Sequence, residues 1–225
     1  MARLKSPSGL LTILALMIAS ACGNSSGAPN VVSGGRATPT DTPSKEITLE
    51  TIVLKALDVG PGAVEEPLPK GNMVAGQVTL DLCAASFPSE ALRTARLQVA
   101  FVAGRHLAVS NEVVSYRTGG TRRALAELRA AAAHCPGSFR VPGATASHLR
   151  VERRDSRLLS RQFTVSALFT PKKAAHVWSV AVYQFEGNQF SGVYVFADSR
   201  VSALRLARRT AAISAGRLEA ARVAV

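Results

Sequence analysis

Three cysteines are the residues whose type and position most clearly predict chemistry in this chain. Cys22 follows a segment typical of an export signal, and Cys83 and Cys135 lie beyond it. Neither of the later two is in a C-x-x-C arrangement, and no histidine stands at ligand spacing beside Cys83, which argues against a zinc site. An even pair of cysteines in an exported domain is typical of a disulfide. We therefore predict a bond between Cys83 and Cys135 and no metal.

The segment before Cys22 has the order of an export signal. Residues 1–9 are basic, residues 10–19 form an uncharged apolar run, and two small residues precede the cysteine. A cysteine directly after such a site resembles the lipobox of bacterial lipoproteins, where the thiol carries acyl chains such as palmitate. We predict a signal peptide over 1–21 and lipidation of Cys22 at the extracytoplasmic face of the cell membrane. The alternative is ordinary signal peptidase cleavage and a secreted protein with a free Cys22.

A tether and one domain follow the predicted anchor. Residues 22–45 are rich in Gly, Ser, Thr and Pro, a composition that cannot bury enough apolar surface to offset its ordering entropy. A flexible segment of this length spans roughly 26 Å. Residues 46–225 are enough for one folded domain with its own core.

The chain is strongly basic. Its formal net charge is +12, with ten arginines between 117 and 161 and six between 200 and 222. Such clusters attract polyanions, but an exported protein rarely meets nucleic acid, so we predict no nucleic-acid partner. Anionic lipid headgroups or anionic wall polymers are the polyanions available to an exported protein. The alternative is that arginine simply solvates exposed faces.

No constellation of residues predicts an enzyme. The four histidines, His106, His134, His148 and His176, lack metal-ligand spacing such as H-E-x-x-H. Neither a G-x-S-x-G motif nor a glycine-rich phosphate loop occurs. Because no nucleophile, base and stabilising group can be nominated together, we predict a protein without catalytic activity or cofactor.

Hydrophobic periodicity predicts alternating helices and strands. We predict helices over 48–57, from 87, over 121–135 with Thr121 as N-cap, and over 199–223, and strands over 78–83, 97–103, 108–116, 162–170, 175–186 and 190–197, the last two joined by a hairpin. The predicted buried stripe of the last helix is Val201, Leu204, Ala211, Ala215 and Leu218. This order predicts a single-domain α+β fold with an antiparallel β-sheet and flanking helices.

Three segments resemble a known family. TLDLCAASFPSEALRTARLQVAF (79–101), SNEVVSYRTGGTRRALAELRAAAAHCP (110–136) and AVYQFEGNQFSGVYVF (181–196) are similar to the PknH-like extracellular sensor domains of actinobacterial lipoproteins and membrane-bound kinases. The resemblance spans roughly residues 47–220. It implies a sheet with flanking helices, a central cleft suited to a ligand, and the Cys83–Cys135 bridge. Family members can carry a second cysteine pair, which this chain lacks, and this chain has no kinase domain.

Five residues are candidates for ligand binding in such a cleft. Asn111 and Glu112 begin an apolar strand and match the resemblance, while Tyr116, Tyr183 and Tyr194 supply amphipathic rings suited to a pocket. Their alternatives are a turn or capping role and ordinary sheet packing. The sequence favours a sensor or ligand-binding lipoprotein that takes a small molecule or lipid. The alternative is a module that binds an envelope protein or an anionic wall polymer through its basic surface.

Overall fold

An eight-stranded antiparallel sheet forms the centre of the molecule in the computed structural model, which describes residues 48–104, 106–141, 143–152, 161–172 and 174–223. The strand order is β1-β2-β3-β8-β7-β6-β5-β4, so two meanders meet at the β3–β8 pair. The predicted α+β class with an antiparallel sheet is confirmed. The strands are β1 Ala63–Glu66, β2 Arg93–Ala103, β3 Leu107–Tyr116, β4 Ser138–Val141, β5 Ala144–Val151, β6 Gln162–Pro171, β7 Val177–Glu186 and β8 Gln189–Ala197.

Helices lie on both faces of this sheet. They are α1 Leu49–Ile52, α2 Ala56–Val59, α3 Gly120–Ala133 and α4 Arg200–Val223, together with a 3-10 helix over Pro88–Leu92. Among the described residues, none of the helices is long and apolar enough to cross a membrane. The signal segment, Cys22 and the tether lie outside the described residues.

The long helix α4 covers one face of the sheet, which we call the helix face. Alternate strand residues such as Val109, Val182 and Val193 point to this face and are buried. The facing stripe of α4 consists mostly of small side chains, with Leu206 and Leu218 among them: Ala203, Ala207, Thr210, Ala211, Ser214, Ala215 and Ala221 are all buried. Small residues let the helix lie close to the valine-covered sheet, so this face is closed.

The other face of the sheet, the cavity face, is covered only in part. Helix α3 packs over one end, where Leu128 contacts a cluster that includes Tyr116, Phe185 and Phe190. Residues 78–82 and the β4–β5 hairpin lie beside the remainder of this face, where the cavity described below opens.

Tertiary contacts override the predicted structure at the start of the domain. The single helix predicted over 48–57 is wrong: α1 ends at Ile52 and α2 begins at Ala56. The backbone N–H of Leu54 donates instead to Asn111 Oδ1 at 2.8 Å, which breaks the helical ladder.

The strand predicted over 78–83 is also wrong. The backbone N–H groups of Thr79 and Leu80 donate to the Glu90 carboxylate at 2.9 and 3.2 Å rather than to a neighbouring strand. Cys83 and Ala84 then adopt φ values of 59° and 56°, the left-handed region that ends an extended segment.

Smaller differences concern the two long helices. Thr121 is not an N-cap, because its hydroxyl donates to Gly187 O at 2.7 Å and Gly119 occupies the cap position. Of the buried stripe predicted for α4, Ala211, Ala215 and Leu218 are buried and Leu204 is half-buried, but Val201 is 65% exposed. Strands β1, β4 and β5 were absent from the prediction because they are short or lie in a basic segment without clear alternation.

Candidate functional site

A cavity of about 150 Å³ lies on the cavity face of the sheet. Its floor is formed by β2, β3, β6, β7 and β8, and its rim by residues 78–82 and by β4 and β5. The lining residues are Val78, Thr79, Asp81, Leu82, Gln98, Ser110, Glu112, Phe139, Val141, Leu149, Val165, Ala167, Phe169, Ser179, Ala181, Tyr183, Tyr194 and Phe196. Most of these side chains are apolar, so the site is suited to an apolar body with a few polar contacts.

Aromatic rings meet at the floor of the cavity. The Tyr183 and Tyr194 rings form an edge-to-face pair with centroids 5.8 Å apart, and Phe169 and Phe196 form another at 6.4 Å. These are the separations that aromatic pairs favour. The rings fix one another in place and present a preformed apolar surface.

Polar groups in the cavity belong to a buried network around Glu112. Its carboxylate forms an ion pair with Arg96, both side chains being 3% exposed. It also accepts a hydrogen bond from Thr79 Oγ1 at 2.7 Å. Beside it, Gln98 Nε2 donates to Ser110 Oγ at 3.0 Å. A carboxylate this deeply buried requires such partners, and the network therefore holds Glu112 at the cavity wall.

A second acid fixes the rim of the cavity. Glu90 binds the backbone of Thr79 and Leu80 and lies 3.2 Å from Arg93, whose Nη1 donates to Thr79 Oγ1 at 2.8 Å. Burial raises the pKa of Glu90, although the backbone N–H groups and the Arg93 charge oppose that shift. The rim thus depends on a carboxylate that is partly desolvated.

Asp81 stands on the rim with its carboxylate at the cavity mouth. Within the described part of the chain it makes neither a hydrogen bond nor an ion pair. The residue is exposed to solvent, yet the surrounding protein desolvates the carboxylate and raises its pKa. The Asp81 carboxylate thus accepts no hydrogen bond from any described residue.

The two tyrosine hydroxyls of the cavity differ in their contacts. Tyr194 Oη donates to Thr79 O at 3.3 Å, whereas the Tyr183 hydroxyl has no hydrogen-bond partner among the described residues. Burial is the main cause that raises the pKa of both phenols, and nearby acidic groups add to the shift. Both therefore remain neutral hydroxyl groups at neutral pH, and that of Tyr183 is left to a ligand or solvent.

The structure brings together three of the five candidate residues. Glu112, Tyr183 and Tyr194 line the cavity. Asn111 lies on the helix face, where Nδ2 donates to Ser191 Oγ and Gly192 O, both at 2.9 Å. Its role is therefore to join the segment between α1 and α2 to β3 and β8.

Tyr116 lies outside the cavity, beneath the start of α3. A Cβ at Gly120 would lie 2.8 Å from the tyrosine Cβ, so only glycine permits this approach. The Tyr116 hydroxyl is buried without a hydrogen-bond partner in the described part of the chain.

Sequence reasoning missed several lining residues, among them Asp81, Ser110, Phe169 and Phe196. Alternation along the strands could have found two of them, because Ser110 shares a face with Glu112, and Phe196 with Tyr194. Asp81 carried no such signal, since its position depends on the loop geometry of residues 78–84.

The Cys83–Cys135 disulfide is present, with a Cα–Cα distance of 5.4 Å. It joins the segment after Leu82, which lines the cavity, to the residues that follow α3. The bond thereby fixes one wall of the cavity to the helix. No group of three or more potential metal ligands occurs among the described residues.

Comparisons with known proteins find similarity to solved structures only. No family model and no curated protein matches the chain. Among solved structures, the extracellular domain of PknH from Mycobacterium tuberculosis is similar, with a TM-score of 0.48 and 13% sequence identity over 73% of this chain and 93% of that chain.

Proposed function

We propose that this protein is a lipid-anchored extracytoplasmic sensor or ligand-binding protein that takes a small molecule in its cavity and catalyses no reaction. The cavity is the observation that carries the proposal. Its walls are apolar and aromatic, and its polar groups are held by contacts that leave Asp81 and the Tyr183 hydroxyl to a ligand. Such a combination is typical of sites that select a small molecule by shape and orient it by few hydrogen bonds.

The volume and charge of the cavity define the ligand class. An apolar cavity of about 150 Å³ holds a body the size of a single benzene ring. Of the two charged lining residues, Glu112 is already paired with Arg96, so Asp81 is the acid that the described residues leave to a ligand. The ligand we propose therefore has a ring-sized apolar body and an end that donates hydrogen bonds or carries a positive charge.

Three probes that differ only at the polar end test this assignment: benzylamine, benzyl alcohol and benzoate. Titration of the protein followed by NMR should show binding in that order, with shifts at Tyr183 and Phe196. Ala181→Leu fills the cavity and should weaken benzylamine binding at least about tenfold. The matched control is Ala212→Leu, at an exposed position of α4. Equal affinity in the two variants, or no binding of any probe, would contradict the proposal.

The anchor rests on the residues before the domain. The export-signal pattern and Cys22 support lipidation, and two or more acyl chains are enough for stable attachment. Replacement of Cys22 by Ser should move the protein from the membrane fraction to the medium or block its processing. Unchanged fractionation would remove the anchor from the proposal and leave the cavity assignment intact.

A further inference from the structure

The outer surface of α4 carries arginines that have no role in the fold. Arg205 and Arg208 are exposed and form no ion pair or hydrogen bond with any described residue. Arg209 is also exposed and donates to Val59 O at the end of α2. These three side chains lie within two turns of one helix, on the side away from the sheet.

The chain enters the domain beside this helix. Arg217 of α4 donates to Val53 O at 2.7 Å and to Asp58 Oδ1 at 3.0 Å, so α1 and α2 lie along α4. The first described residue, Thr48, precedes α1 directly. Residues 22–45, the predicted tether, therefore join the domain on its α4 side.

Exposed apolar side chains accompany the arginines. Leu57 of α2 is 90% exposed and Val201 in the first turn of α4 is 65% exposed. Apolar side chains interspersed with arginines are typical of surfaces that lie in the headgroup region of a membrane. An anionic wall polymer would bind the arginines but would provide no apolar contact for Leu57.

We propose that this surface, formed by Leu57, Val201, Arg205, Arg208 and Arg209, docks the domain on anionic phospholipid. The inference rests on the lipid anchor of the proposed function, which brings the surface within reach of the bilayer. Guanidinium groups bind phosphate oxygens in bidentate geometry. Of the described acids near this surface, Asp58 is paired with Arg217, whereas Glu50, Glu65, Asp198 and Glu219 are exposed and oppose part of the attraction.

Docking through α4 fixes the orientation of the cavity. Tyr183 in the cavity and Val182 under α4 are neighbours on one strand and point to opposite faces of the sheet. With α4 on the membrane, the cavity face is turned away from the bilayer. The ligand then reaches the cavity from the surrounding space rather than from the lipid.

Vesicle binding tests the docking surface without the anchor. The chain from residue 22 onward, which lacks the apolar signal segment and carries Cys22→Ser, is sedimented with vesicles of phosphatidylglycerol and phosphatidylcholine, and with vesicles of phosphatidylcholine alone. The measured quantity is the ratio of the two affinities. Arg205→Glu with Arg208→Glu should lower this ratio at least about tenfold, since each arginine near an anionic surface contributes substantially.

The matched control is Arg122→Glu with Arg129→Glu on α3. These two arginines are also exposed and form no ion pair with a described residue. Their replacement changes the net charge by the same amount, but they lie with α3 on the cavity face. The control should lower the ratio less than about threefold. An equal fall of the affinity ratio in both double variants would mean that net charge alone determines vesicle binding, and would overturn the proposal. Leu57→Ser should weaken binding to the anionic vesicles; an unchanged affinity would contradict the choice of a membrane.

Discussion

The two faces of the sheet are covered in different ways. On the helix face, valines of the strands meet alanine, serine and threonine of α4, and the polar residues Asn111 and Ser214 form hydrogen bonds within that contact. On the cavity face, the rings of Tyr183, Tyr194 and Phe196 line a space instead of meeting a helix. Small side chains allow close contact, whereas large rings that meet edge to face leave a gap. A closed face and a face with a cavity thus share the same strands.

Residues 111 and 112 test this contrast most strongly, because these neighbours on β3 point to opposite faces. Glu112→Ala leaves Arg96 buried without its partner and should lower the free energy of unfolding by about 3–5 kcal/mol. Asn111→Ala removes neutral hydrogen bonds and should cost about 1–3 kcal/mol. Urea unfolding measures both values.

A double variant separates the charge from the shape of the side chain. Arg96→Met with Glu112→Leu removes both charges and should recover most of the stability lost in Glu112→Ala. If the double variant is as unstable as the single one, the buried ion pair is not the cause.

Removal of the disulfide extends the comparison of the two faces from stability to ligand affinity. Cys83→Ser with Cys135→Ser should lower the free energy of unfolding by about 2–4 kcal/mol, since the residues are 52 apart in sequence. Because Leu82 lines the cavity next to Cys83, benzylamine affinity should fall as well. Leu218→Ala, on the buried side of α4, should cost a comparable 2–5 kcal/mol and leave benzylamine affinity unchanged in the folded protein. Equal affinities in the two variants would show that the disulfide does not shape the cavity.

The smallest expected effect is the change in the free energy of unfolding when each of two aspartates is replaced, measured over a range of pH. Because desolvation raises the pKa of Asp81 in the folded protein, the protonated side chain stabilises the fold relative to the charged one. This stabilisation is present at low pH and is lost as pH rises through the folded-state pKa. Asp81→Asn should therefore be slightly more stable than the parent at pH 7, by less than about 0.5 kcal/mol, and equal to it near pH 3.

Asp58→Asn should have the opposite sign at pH 7, because the Asp58 carboxylate binds Arg217 and the backbone N–H of Lys55. Urea unfolding at both pH values measures each variant. A gain for Asp81→Asn that is as large at pH 3 as at pH 7 would rule out desolvation as its cause.

The sequence predicted the sheet better than the site, and the reason lies in the range of the interactions. Strands β3, β7 and β8 have long apolar runs, and the turn at Gly187 and Asn188 connects the last two, so local signals were enough for them. Glu112 was identified by its place in an apolar strand and by the family resemblance, and Tyr183 and Tyr194 by residue type. Asp81 and Phe139 were not, because the first depends on a loop held by Glu90 and the second on a short edge strand. Asn111 was assigned to the wrong face, since the partner that decides its orientation, Leu54, is 57 residues away.

The strand order also governs when this domain can fold. The two meanders are joined only through β3 and β8, whose residues Asn111 and Ser191 are 80 positions apart. A ribosome releases the chain from its N terminus, so β3 is without its central neighbour β8 until almost the whole sequence has been made. Closing so distant a pairing is slow. The centre of the sheet is therefore among the last parts of the domain that can form during synthesis.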